Sequence, residues 1–142
     1  VNVKFVIGAA FRSSPETIVA VGEPVRQDDF LYTVARVGKH SENGNVAYLV
    51  TIRVDNQAEV VDYRWRDEIA YVTDAAGSQY HAEPGPVNDS ERLAISAGES
   101  AAYTLAFVLP LTAKTPVLRY SNGILMGDVS DGAAYRRATT PL

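Results

Sequence analysis

The feature that most constrains this chain is an alternation of apolar side chains with a period of two. In the run Val46-Ala47-Tyr48-Leu49-Val50-Thr51-Ile52-Arg53-Val54, the residues Val46, Tyr48, Val50, Ile52 and Val54 share one face. Ala47, Leu49, Thr51 and Arg53 share the other. A helix would gather Val46, Leu49 and Val50 instead, but the run is rich in β-branched and aromatic residues, which suit a pleated strand. Nine extended residues span about 30 Å, enough to cross a small sandwich from end to end. Tyr103-Thr104-Leu105-Ala106-Phe107-Val108-Leu109 repeats the pattern, and Pro110 ends it because proline has no N–H for a central ladder.

The same reading predicts further strands over residues 17–22, 29–37, 64–73, 78–82, 93–96 and 116–121. Val1, Val3, Phe5 and Ile7 alternate with Asn2 and Lys4, so a first strand is expected at 1–7. The stretch from Asp131 to Arg137 suits either one helical turn or a last strand. Turn chemistry separates these runs. Asn43-Gly44 is a strong hairpin signal because both residues tolerate positive φ. Asp74-Ala75-Ala76-Gly77 reads as another tight connection, and Glu83 to Ser90 as a longer loop in which Pro84 and Pro86 forbid regular pairing. The expected fold is all-β: an antiparallel β-sandwich of about seven to nine strands, formed by residues 1–142 as one domain.

Composition narrows the function. Apolar residues at 46% and charged residues at 21% fit a packed core and exclude intrinsic disorder. A net charge of -4 with scattered Lys and Arg argues against nucleic acid as a partner. Cysteine is absent, which removes thiolate metal sites, redox chemistry and a cysteine nucleophile. The chain opens on Val1 rather than Met. A leader, a lipoprotein anchor, a membrane helix or a tag upstream would each produce that, and membrane contact is expected only through such an anchor.

Strand-end motifs carry a family resemblance. Val21-Gly22 precedes Tyr32-Thr33-Val34, and a long strand closes in Val54-Asp55-Asn56. Asp74-Ala75-Ala76-Gly77-Ser78-Gln79-Tyr80 follows, and Ile95-Ser96-Ala97-Gly98-Glu99-Ser100 leads into Leu105-Ala106-Phe107-Val108-Leu109-Pro110. Over residues 17–121 this resembles the telokin-like, immunoglobulin-like domain of bacterial secreted proteins and lipoproteins, a family of unknown function. The resemblance implies an immunoglobulin-like sandwich in an extracytoplasmic place, and it carries over no functional residues.

Candidate chemistry is sparse. His40 lies near Glu42 and His81 near Glu83, so a metal-dependent accessory protein or enzyme using His40 and His81 is one alternative. Each pair supplies only two ligands near a turn, short of a metal's set, which favours plain loop histidines. No Gly-x-Ser-x-Gly elbow is present, and the serines gather in turns. Asp28-Asp29 is an acidic doublet at a strand start, and Asp128 and Asp131 are weak calcium candidates. Neither segment has the Asp-x-Asp-x-Asp-Gly pattern, so solvated turn acids are the simpler account. Asn88-Asp89-Ser90 matches a glycosylation sequon, taken as incidental. The expectation is a protein that is not an enzyme and uses no cofactor.

Tyr63-Arg64-Trp65-Arg66 is the most suggestive segment for recognition. On a strand, Tyr63 and Trp65 face one way and the arginines the other. Trp65 is expected in the sandwich core, while Arg64 and Arg66 with Arg53 would form an outward basic stripe or pair with Asp67 and Glu68. Tyr63, Arg64 and Arg66, joined by the loop residues Pro84, Pro86 and Asn88, form the expected contact surface for a protein or cell-envelope partner. A structural or assembly subunit, joining copies through an edge near 1–7 or 116–121, is the second alternative.

Overall fold

The computed structural model describes residues 16–83, 94–121 and 137–142. The expected strand at 1–7, the loop residues Pro84, Pro86 and Asn88, and the acids Asp128 and Asp131 lie outside the described residues.

The strands are β1 (Glu16–Ile18), β2 (Pro24–Gln27), β3 (Phe30–Glu42), β4 (Asn45–Asn56), β5 (Tyr63–Arg64), β6 (Ala70–Thr73), β7 (Gln79–His81), β8 (Ala94–Ile95), β9 (Ser100–Pro110), β10 (Val117–Ser121) and β11 (Arg137–Pro141). They form a five-stranded sheet in the order β1-β11-β10-β6-β7, a four-stranded sheet β2-β3-β4-β9, and a short ribbon β5-β8. The protein is a β-sandwich, as the alternation predicts. The even-numbered side chains of β4 and the odd-numbered ones of β9 meet in register (Val50 with Leu105, Ile52 with Tyr103) and fill the interior. Val72, Leu118, Tyr120 and Ala138 close it from the five-stranded sheet. Each large side chain removed from water in this way stabilises the fold by about 1.5–3 kcal/mol.

The β3–β4 hairpin turns at Asn43 (φ 51°) and Gly44 (φ 82°), both in the left-handed region that its two-residue loop requires. A register shift between Val34 and Arg36 puts one extra residue in β3. That bulge resets the parity, so Tyr32 and Val34 before it and Val37 after it all point inward.

Three expectations need correction. The predicted strand over 64–73 is broken by a 3-10 turn at Asp67–Ile69. Tyr63 and Trp65 face inward on odd positions, whereas Ala70 and Val72 face inward on even ones. One continuous strand would have carried Asp67 into the core with Trp65. The turn instead leaves Asp67 exposed, and its Oδ1 accepts the Trp65 Nε1–H at 2.6 Å. The predicted strand over 17–22 divides around a turn at Val21-Gly22, with β2 beginning at Pro24 on the sheet edge. The segment 116–121, expected at an edge, supplies β10, which lies between β11 and β6. One pairing is not antiparallel: β1 runs parallel to β11, which is possible because most of the chain connects the two.

The β6–β7 turn is held by a carboxylate. Asp74 Oδ1 accepts the N–H groups of Ala76 and Ser78, each at 3.0 Å, and Oδ2 accepts the Tyr80 hydroxyl at 2.9 Å. The Tyr80 bond first, then the backbone N–H groups, hold the Asp74 carboxyl below the usual carboxylate range. A depressed folded pKa adds stability above the unfolded value, near pH 4, and that stability is lost as pH falls through the folded value. Wild type is therefore expected to be more stable than Asp74→Ala at pH 7, with the gap closing in acid. Urea midpoints across the acid range check this, and a gap independent of pH contradicts it.

Candidate functional site

One end of the sandwich is built from three connections: the turn at Asp28-Asp29, the loop 57–62 between β4 and β5, and the turn 96–99 between β8 and β9. They meet because the ends of β3, β4 and β9 meet, with Phe30 opposite Asn56 and Asp55 opposite Ser100. Asn56 joins them. It is 1% exposed, and its side-chain Nδ2 donates to the carbonyls of Val61 at 2.8 Å and Ile95 at 2.9 Å. Its Oδ1 accepts the Ala58 N–H at 3.0 Å. The Asn56 backbone exchanges bonds with the third connection, N–H to Glu99 O at 2.9 Å and O from Gly98 N–H at 2.8 Å. The Gln57 N–H reaches Asp29 O at 2.9 Å, and Arg26 bonds the Gln57 side chain.

This network fixes both ends of the 57–62 loop, and the loop displays Val60 at 84% exposure and Val61 at 56%. Asp28, Asp29, Glu59, Asp62 and Glu99 stand on the same three connections, with Arg26 beside them. The result is an apolar tip on a fixed loop within an acidic surround. Binding sites on sandwiches commonly occupy such end loops, positioned by a rigid scaffold.

The expected contact surface fares differently. Tyr63 is 2% exposed and lies in the core, where its ring meets Phe30 edge-on and its hydroxyl bonds that of Tyr32 at 3.1 Å. Burial pushes both phenols up, so they stay protonated donors and acceptors. Tyr63 is therefore not a contact residue. Its parity with Trp65 is the reason, since both occupy the inward face. Arg64 and Arg66 are exposed. Arg53 belongs to the four-stranded sheet and bonds Asp55 at 3.0 Å, whereas Arg64 belongs to the β5-β8 ribbon. No single sheet carries all three as a stripe.

His40 and His81 also part. His40 stands on β3, 3.4 Å from Glu42, beside a cleft of about 210 Å³ lined by Asn43, Asn45, Ala47 and Val108. His81 stands on β7 in the other sheet, in a cleft of about 320 Å³ with Asp67, Glu68, Ala70 and Ala82. Among the described residues no three His, Asp or Glu gather as metal ligands, Asp28 and Asp29 included.

Sequence reasoning missed Asn56 as an organiser and Val60-Val61 as a displayed pair. The second had a signal: two adjacent β-branched residues between Glu59 and Asp62, in a segment with no strand alternation. The first had none, because its partners, Ala58 and Val61 on the loop and Ile95 on β8, come together only in the fold.

No protein-family model matches the chain, and no curated protein matches it in sequence. Solved structures do match. The secreted protein MPT63 of Mycobacterium tuberculosis aligns with a TM-score of 0.64 and 11% identity, over 90% of this chain and 98% of that one. The yjhA protein of Bacillus subtilis gives 0.62 and 14%, over 85% and 98%. An uncharacterised β-sandwich protein of Clostridium difficile 630 gives 0.59 and 12%, over 92% and 97%. The likeness is one of fold. It extends over nearly the whole of each of these proteins, and it names no ligand for the acidic end.

Proposed function

We propose that the chain is a non-catalytic, immunoglobulin-like binding module that works outside the cytoplasm and meets a protein or cell-envelope partner through its acidic end. The observation that carries this reading is the Val60-Val61 pair, exposed to water on a loop that the buried Asn56 holds in one shape. A loop already fixed before binding loses little entropy when it docks, and two apolar side chains supply a contact centre inside a polar rim. The extracytoplasmic place is supported by the fold likeness to a secreted protein and by the strand-end resemblance. Arg64 and Arg66 remain the competing contact.

The test compares three forms of the protein against envelope and secreted fractions of the source cell: wild type, Val60→Asp/Val61→Asp, and Arg64→Ala/Arg66→Ala. Partner capture is expected to fall about tenfold or more with the valine pair changed and to persist with the arginines changed. All substituted positions are exposed, so unchanged circular dichroism should accompany both variants. Capture that survives the valine change and fails with the arginine change would move the surface to β5.

A further inference from the structure

Among the described residues, one edge of β3 has no strand beside it over its second half. β2 covers only the first part of β3, pairing Phe30 to Thr33, and the Gly22 N–H then takes Val34 O at 2.7 Å. Beyond the bulge, from Arg36 to Glu42, the only strand beside β3 among the described residues is β4. Seven residues of edge extend about 23 Å, and half of their backbone N–H and C=O groups point away from β4. No proline interrupts them.

We propose that two copies pair β3 edge to β3 edge, antiparallel, about a two-fold axis at Lys39. The register follows from the geometry of the segment. The symmetric register that uses all seven open residues is centred on Lys39, because shifting the centre to Gly38 drives Glu42 onto the bulge and shifting it to His40 pairs the Asn43-Gly44 turn. Centred on Lys39, Arg36 stands opposite Glu42 of the second copy at both ends of the ladder. These residues lie on the outer face of the sheet, as their alignment with Thr51 and Asn45 shows, so both charge pairs form on the same side. Val37 then faces Ser41, and Gly38 faces His40, where a residue without a side chain leaves room for the imidazole. The tip of each hairpin arrives beside the other copy's 20–23 segment, where Val21 is 46% exposed.

One feature opposes the contact. Lys39 meets its own copy at the axis, on the inner face where its ammonium lies 5.6 Å from the Tyr48 ring centroid. Like charges across a ladder weaken pairing, and lysine on an edge guards against uncontrolled sheet growth. Two-fold pairing consumes the edge of each copy, so assembly stops at two. The resulting interface is small, which makes the pairing a weak one. Six strands, β9-β4-β3 and their counterparts, then form one continuous sheet, and the two acidic ends point in opposite directions.

Sedimentation equilibrium of the whole chain up to about 1 mM tests the pairing. Wild type is expected to be a monomer–dimer mixture. Arg36→Glu, which sets like charges opposite each other twice, should weaken the dimer about tenfold, and Arg36→Glu/Glu42→Arg should restore it. Lys39→Thr should tighten it several-fold. Val60→Asp/Val61→Asp should leave it unchanged, so this contact stands or falls apart from the proposed function. Monomeric behaviour of both wild type and Lys39→Thr at the highest concentration overturns the proposal. So does a dimer indifferent to charge reversal, or one lost with the valine change.

Discussion

Trp65→Ala is expected to destabilise the protein by about 3–5 kcal/mol, enough to threaten folding of an ordinary domain. Trp65 is 3% exposed, and its ring stacks parallel on Tyr103 with centroids 4.2 Å apart and planes 6° from each other. Tyr103 lies on β9 and Trp65 just after β5, so the stack ties the ribbon to the four-stranded sheet. Removing the indole empties that space, and it also leaves Asp67 without the N–H it accepts at 2.6 Å. Trp65→Phe keeps most of the packing and loses the hydrogen bond, so it should cost appreciably less. Urea unfolding followed by circular dichroism checks both, because the only tryptophan is the residue removed. A loss below about 1 kcal/mol for alanine would place Trp65 outside the cooperative core.

Asn56→Ala should be nearly as damaging, by about 3 kcal/mol or more, for a different reason. The amide satisfies the Ala58 N–H and the carbonyls of Val61 and Ile95, and truncation leaves these groups to find water or go unpaired. Each buried group so stranded costs about 1–3 kcal/mol. Gln27 provides the contrast. It is also 1% exposed, yet neither Nε2 nor Oε1 has a hydrogen-bond partner among the described residues. Gln27→Leu therefore removes two unsatisfied atoms at little change in volume and should stabilise by about 1–2 kcal/mol. Two buried amides, opposite signs. Urea midpoints for the two variants decide it, and a loss of stability in Gln27→Leu would show that the amide is satisfied in solution.

The two clearest alternations, in β4 and β9, were legible because each strand buries one face and, Ala106 apart, leaves the other at least partly exposed. The same rule misled at 64–73. There the apolar residues keep nearly regular spacing, but the interior parity changes between Trp65 and Ala70, and the change is absorbed by a turn at Asp67. The Asn43-Gly44 hairpin was legible from local chemistry alone. The bulge at Val34/Arg36 was not, since it appears only when β3 is laid against β4. The parallel β1–β11 pair joins residues far apart in the chain, and no local pattern specifies it. At the acidic end, the joining of three connections through Asn56 depends on three ladders ending together, which no local pattern specifies. Tyr63 shows the reverse error, a residue type favoured at interfaces that its own strand parity sends inside.

The most direct measurement is hydrogen–deuterium exchange of the whole chain with and without a captured partner. The account predicts slowed exchange on binding across 57–62, with smaller effects at 28–29 and 96–99, and none at Arg64 to Arg66. Protection confined to Arg64 to Arg66, with Val60 and Val61 exchanging as in the unbound protein, would contradict it.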